Sequence, residues 1–261
     1  MTELRLLNLG CGKRRHPHWT NVDLVATSPE VLEVDLRQPL PFLDAQFDAV
    51  YASHVLEHLA PDAGRRLVRE ARRVLCPGGT LRLVVPDLEG ICRAYLSALD
   101  AAAAGAPSAT DRHAWMTIEL VDQMARTQTG GLMLQWWRRD PLPVESFIVE
   151  RLGSEASETI ERMRRRRAEM GRLPLSAESW DERPEPSDAE RLEFLRTGET
   201  HRSMYDRVSL AQLLARCDFE AISVRRASDS VIPHWSEYGL DVGPDGRPHK
   251  PDSLFMEATK V

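Results

Sequence analysis

The chain has 261 residues, 42% of them hydrophobic and 28% charged, which is enough to bury a full core and is the composition of a globular rather than a disordered protein. A formal net charge of -6 at pH 7 argues against sequence-independent nucleic-acid binding, which draws its affinity from clustered cations meeting phosphates. No run approaches the roughly 18 apolar residues that span a bilayer, and the N-terminus enters a strand with no apolar leader, so a cytoplasmic location is expected and neither nucleic acid nor a membrane is expected as partner.

Residues 4–9 form a short apolar run of the kind found in a strand covered on both faces. Residues 21–24 and 32–36 read as two more strands, carrying Asp23 and Asp35 near their C-terminal ends. Asp23 comes only eleven positions after Gly12, across His16-Pro17-His18-Trp19, which leaves room for a loop or single turn rather than a full crossover helix. Residues 47–53 give a fourth strand. A helix is expected from Pro61, with Leu67, Val68, Ala71, Val74 and Leu75 on its apolar face and a stop at Pro77-Gly78-Gly79. Residues 80–85 give a fifth strand.

From residue 88 helical stretches alternate with breakers, and residues 141–200 are rich in charge and proline, including Arg164 to Arg167 and a Pro/Glu/Ser stretch over residues 174–188. A short helix at residues 209–215 and strands near 221–226 and 253–259 follow, the last two able to pair antiparallel. The alternation predicts an α/β sheet built from an N-terminal part (1–90) and a C-terminal part (201–261), with a largely helical insertion over 91–200 placed to act as a substrate cap. The four cysteines, Cys11, Cys76, Cys92 and Cys217, have no C-x-x-C spacing, so reduced thiols and no metal site are expected.

The first strand and its turn, Asn8-Leu9-Gly10-Cys11-Gly12, are the feature around which the chain is organised. An apolar strand ending in G-x-G lets bare backbone approach a nucleotide-like ligand, because a Cβ at either glycine would hold the ligand off. The same turn opens dinucleotide-binding folds, but a nicotinamide fingerprint wants glycine at position 15, where Arg15 stands.

Five motifs, L-N-L-G-C-G, N-V-D, D-L-x-x-P-L-P-F, F-D-x-V-x-x-S-H-V-L-E-H-L and L-x-P-G-G-x-L, occur in order within the first 81 residues. In these the chain resembles the class I S-adenosylmethionine (SAM)-dependent methyltransferases of the type 11 group. The resemblance implies a Rossmann-like, mostly parallel seven-stranded sheet with an antiparallel last strand, and SAM as cofactor. It implies that Asn8 and the Gly10-Cys11-Gly12 turn bind SAM, the turn lying under its methionine part, and that Asp23 accepts from the ribose hydroxyls. It places Asp35 and Leu36 at the adenine, and Ser53 and His54 at the sulfonium end. It does not extend to the middle insertion.

Other residues carry two readings. Glu57 and His58 could do acid/base work beside a ligand, or cap and hold the loop that covers it. Tyr51 reads as core. His201 and Tyr205 follow the insertion, where the chain returns to the sheet. His201 is a candidate base for methyl transfer to a hydroxyl and Tyr205 a candidate substrate contact, against an anchoring role. His16 and His18, flanking the glycine-turn loop, read as solvated or as lid contacts rather than as chemistry. Trp136-Trp137 reads as insertion core or as an aromatic wall, and Arg164 to Arg167 as a solvated helix face or an anion site. The expected activity is methyl transfer to a small molecule, with a hydroxyl of a sugar or natural-product scaffold preferred over nitrogen or carbon. A non-catalytic SAM-binding partner is the rival class, and a homodimer is left open.

Overall fold

The computed structural model describes residues 4–170 and 186–261. Most of the Pro/Glu/Ser stretch read over residues 174–188 lies outside the described residues. Seven strands, β1 (Leu6–Leu9), β2 (Trp19–Asp23), β3 (Val31–Glu33), β4 (Phe47–Ser53), β5 (Leu75–Pro86), β6 (Phe219–Arg225) and β7 (Ser253–Lys260), form one sheet in the order β3-β2-β1-β4-β5-β7-β6. β7 runs antiparallel to both β5 and β6, and the other pairings are parallel. This is a Rossmann-like, mostly parallel sheet with an antiparallel last strand, as expected from the sequence. No helix among the described residues is long and apolar enough to cross a membrane.

The chain divides into two compact units. The first comprises Met1–Asp87, Arg202–Pro248 and Ser253–Val261 and holds the whole sheet. Helices α1 (Pro61–Val74) and α8 (Arg207–Ala215) cover one face, burying Leu67, Val68, Ala71, Val74, Leu210 and Leu214 against Leu7, Leu9, Val50, Leu81, Leu83 and Met256. Pro61 opens α1, where its missing N–H costs nothing. Asp206 starts α8 by accepting from the N–H groups of Val208 and Ser209 at 2.9 and 2.7 Å. α1 ends at Val74, before the expected Pro77-Gly78-Gly79 stop. Leu75 is already paired with Phe47 and Thr80 with Ala49, so residues 76–79 form an irregularity inside β5 rather than the break before it.

The opposite face is covered by an irregular segment, residues 226–248, whose Ala227, Ile232, Trp235, Tyr238, Leu240 and Val242 pack on Leu6, Trp19, Tyr51, Val84 and Phe255. Beneath it a polar row crosses the sheet. Strand register places Asn21 beside Asn8, Asn8 beside Tyr51, Tyr51 beside Arg82, and Arg82 beside Glu257. All five are buried. Arg82 spends every guanidinium N–H: on Asp241 (2.8 Å), Glu257 (2.7 Å) and the carbonyls of Asp229, Arg226 and Ala227 (2.9, 3.0 and 3.2 Å). Its guanidinium carbon lies 4.5 Å from the Trp235 ring centroid. The Tyr51 hydroxyl donates to Asp241 at 2.5 Å.

The second unit, Leu88–His201 with His249–Asp252, is helical: α2 (Leu88–Ala103), α3 (Ala109–Ala125), α4 (Gly131–Trp137), α5 (Glu145–Leu152), α6 (Ser154–Met170) and α7 (Asp188–Arg196). Trp115, Met116, Trp136 and Ile148 are its buried centre, so Trp136 is core. Trp137 stacks on Trp115 with centroids 6.3 Å apart. Glu119 accepts from Trp115 Nε1 at 3.0 Å and pairs with Arg151. Asp122 accepts from the Leu132 N–H at 2.7 Å and pins the start of α4, and a Cβ at Gly131 would strike its carboxylate at 2.3 Å. In the arginine run, Arg164 pairs with Glu145, Arg165 with Glu161 and Arg167 with Asp140.

Candidate cofactor site at the carboxyl edge of the sheet

β1 is followed in the chain by β2 and β3 on one side and flanked by β4 on the other, so strand order reverses between β1 and β4. Ligands of open α/β sheets bind outside the strand carboxyl ends at such a point. Gly10 and Gly12 both lie there with positive φ, +65° and +50°. A Cβ on Gly10 would stand 2.4 Å from Val55 Cγ2, so the loop after β4 needs that glycine bare. A Cβ on Gly12 would meet no protein atom within 4 Å, so its bareness serves approach from outside the protein.

Asp23 closes the turn from the next strand. Its Oδ2 accepts the Gly12 N–H and its Oδ1 the Leu24 N–H, each at 2.7 Å. Each oxygen keeps a further lone-pair site. The Cys11 N–H donates to Val22 O at 3.0 Å, and burial pushes the Cys11 thiol up, away from a reactive thiolate.

Asn8 faces the polar row. Its amide nitrogen donates to Arg14 O and to Asn21 Oδ1, both at 3.0 Å, and Asn21 donates in turn to His16 O at 3.1 Å and Trp19 O at 2.8 Å. The two side chains fasten the loop after Gly12. Asn21 was missed from sequence, although an asparagine buried in an apolar strand was its signal. The His16 ring sits edge-on to Tyr238, centroids 5.1 Å apart, while His18 is exposed.

Asp35 is clasped by Arg37, which donates to it from Nε at 2.8 Å and from Nη2 at 3.0 Å. That hydrogen bonding holds the carboxyl below its usual range. Leu36 is half-buried, 3.7 Å from the position a Gly10 Cβ would take.

Ser53 ends β4, and His54 follows with φ +53°, a left-handed backbone that non-glycine residues rarely adopt. Its N–H donates to Val84 O at 2.9 Å. Its Nδ1 lies 3.0 Å from Glu57 Oε1 and its Nε2 3.0 Å from Ser253 Oγ. Glu57 is fully buried.

Gly10, Gly12, Asp23, Asp35, Leu36, Ser53 and His54 thus belong to the strand carboxyl ends and the loops that follow them. Tyr205 does not. It packs in the core beside α1, its hydroxyl 3.5 Å from where a Gly64 Cβ would stand, and burial raises its phenol. His201 falls in the helical unit, buried, its N–H donating to Gln123 O at 2.9 Å.

The donor set suits a nucleoside carrying vicinal hydroxyls: a bare glycine, a carboxylate fixed by two backbone N–H groups, and an apolar side chain beside them. Fold and turn together define a Rossmann-like nucleotide-binding unit. Residues 7–83 match the family model described as a methyltransferase domain. That match covers the segment from β1 into β5 and agrees with the resemblance to SAM-dependent methyltransferases carried by the glycine turn and Asp23. Among solved structures, the cyclase SpnF is 28% identical over 31% of this chain, with a TM-score of 0.26, and the match spans 38% of SpnF. A possible histamine N-methyltransferase from Thermotoga maritima is 13% identical over 100% of this chain and 84% of its own, with a TM-score of 0.41. The 1,6-didemethyltoxoflavin-N1-methyltransferase of Burkholderia thailandensis, solved with S-adenosylhomocysteine, is 14% identical over 99% and 71%, with a TM-score of 0.42.

Proposed function

We propose that the chain transfers the methyl group of SAM to a hydroxyl of a small molecule, a sugar or natural-product scaffold. The observation that carries the SAM site is the Gly12–Asp23 closure, in which a turn open to approach and a fixed carboxylate face the same edge. SAM, when bound, supplies an electrophilic methyl on a sulfonium.

The remaining lone-pair sites of Asp23 accept from the two ribose hydroxyls, and the backbone hydrogen bonds keep its carboxylate in place for them. Asp35, held ionised by Arg37, accepts from the adenine amine, and Leu36 covers the ring face. Alignment of acceptor and methyl with exclusion of water supplies much of the rate. The hydroxyl preference rests on the polar, aromatic-containing insertion and the acidic charge balance. His201 stands as one candidate proton acceptor, and the core position of Tyr205 supports an anchoring role for it.

Calorimetry with SAM and S-adenosylhomocysteine tests the cofactor site. Both should bind, and Asp23→Asn should weaken binding about 10- to 100-fold, as expected for losing hydrogen bonds to a charged group. No binding at millimolar ligand overturns the reading. A product screen with methyl-labelled SAM against sugar and metabolite pools then identifies the acceptor. Labelled N- or C-methyl products replace the hydroxyl assignment, and binding without any transfer favours the non-catalytic class.

A further inference from the structure

His54, which the resemblance places at the sulfonium end, combines three features that cofactor contact alone does not explain. Its backbone is held in the left-handed region by the hydrogen bond to Val84, a conformation that persists in a non-glycine residue only where its surroundings impose it. Both of its ring nitrogens are engaged by side chains from different elements, Glu57 from the turn after β4 and Ser253 from the first position of β7. The residue after it, Val55, is the one that packs against Gly10, so this loop borders the glycine turn. A hydroxyl on one imidazole nitrogen and a buried carboxylate on the other is the arrangement of a nucleophile or proton donor, a base, and the group that orients the base.

From this geometry we infer that Ser253, His54 and Glu57 form a proton relay that takes the proton of the methyl acceptor. The inference rests on the methyl-transfer reading above. Glu57 is the positioning residue: accepting from Nδ1–H, it fixes the tautomer in which Nε2 carries a lone pair. Ser253 Oγ–H then donates to Nε2, and the Ser253 oxygen is left to accept from the acceptor hydroxyl. As the new bond forms between acceptor oxygen and methyl carbon, the carbon–sulfur bond breaks with its electron pair left on sulfur. The acceptor proton passes to Ser253 Oγ, and the Ser253 proton passes to His54 Nε2. The sulfonium charge that disappears is matched by the imidazolium charge that appears beside the Glu57 carboxylate.

The groups facing the imidazole are Glu57 at Nδ1, Ser253 at Nε2 and, at longer range, Asp241, whose own charge is balanced by Arg82 and Tyr51.

The test reads the tautomer first and activity second. In protein with 15N-labelled histidine, with and without S-adenosylhomocysteine, the His54 ring should be neutral with its proton on Nδ1, and Glu57→Gln should shift population toward the Nε2–H form. A wild-type ring protonated on Nε2 overturns the relay, whatever the acceptor. Methyl transfer to a panel of monosaccharides and simple phenols is the second arm. His54→Gln and Ser253→Ala should each lower kcat about 10^2-fold, by more than calorimetry shows them to weaken SAM binding, so that loss of transfer is separated from loss of cofactor. Wild-type turnover in either variant overturns the relay, as does transfer lost in His201→Ala but kept in His54→Gln. A loss of SAM binding in the wild type overturns the methyltransferase reading instead, so the two failures are distinguishable.

Discussion

Gly10 and His54 both occupy the left-handed region, with φ of +65° and +53°, for opposite reasons. Gly10 is there because the loop after β4 presses Val55 to within 2.4 Å of where its Cβ would be. His54 carries a full side chain there because the Val84 carbonyl, Glu57 and Ser253 hold it from three directions. Gly10→Ala therefore meets both a backbone cost and a clash, and should destabilise the protein by about 1–3 kcal/mol, the usual range for overpacking. Urea unfolding checks this. A midpoint equal to wild type would show that Val55 turns aside and that the turn is less constrained than its geometry states.

At the scale of elements, the two faces of the sheet are stabilised by different physics. α1 and α8 bury aliphatic side chains at helical spacing, whereas residues 226–248 are tied down by Arg82, Asp241, Glu257 and an aromatic layer. Removing the cation alone leaves the buried Asp241 carboxylate without a cation and leaves Glu257 with Arg225 only, 3.3 Å away. Arg82→Met should cost about 3–5 kcal/mol, read as a drop in denaturation midpoint, while Tyr51→Phe, which deletes one hydrogen bond, should cost about 1 kcal/mol. Equal losses in the two variants would contradict the central place of Arg82.

This contrast also explains what could be read from sequence. β1 and β4 were legible as short apolar runs, α1 because its apolar residues recur at helical spacing, and the glycine turn because backbone approach demands glycine. Tyr51 was recognised as core from its strand. The covering segment has no period to read, and the partners of Arg82 lie more than 140 positions away, at Asp241 and Glu257. Asn21 was overlooked for the same reason, since its meaning comes from a register partner on another strand. The helix stop at Pro77-Gly78-Gly79 was misplaced because pairing of Leu75 with Phe47 overrides the local breakers.

Over the whole molecule, several carboxylates are held below their usual range by partners: Asp48 by Arg5, Asp35 by Arg37, Glu70 by Arg73, and Asp206 by the Ser209 N–H. Each group binds protons less readily folded than unfolded. Its stabilisation is therefore complete above the ordinary carboxylate range and is lost as pH falls through that range and below it. Asp241 acts in the opposite sense, because burial raises its carboxyl and protonation relieves rather than costs the fold. The depressed groups outnumber it, so thermal midpoints should decline from about pH 5 downward. A midpoint that rises on acidification would mean that Asp241 outweighs the surface pairs.

The buried row has a consequence in the order of synthesis. β5 leaves the ribosome with Arg82 in the middle of an otherwise apolar strand, and the carboxylates that neutralise it are made only when the final quarter of the chain appears. Until then the segment over residues 7–83, which matches the methyltransferase-domain model, carries a charge it cannot bury. A nascent chain stopped near residue 90 would therefore hold β5 open, and closure of the sheet is coupled to the arrival of its C-terminal strands rather than to completion of the matched segment. The segment carrying Asp241 and Glu257 therefore sets when β5 can close into the sheet.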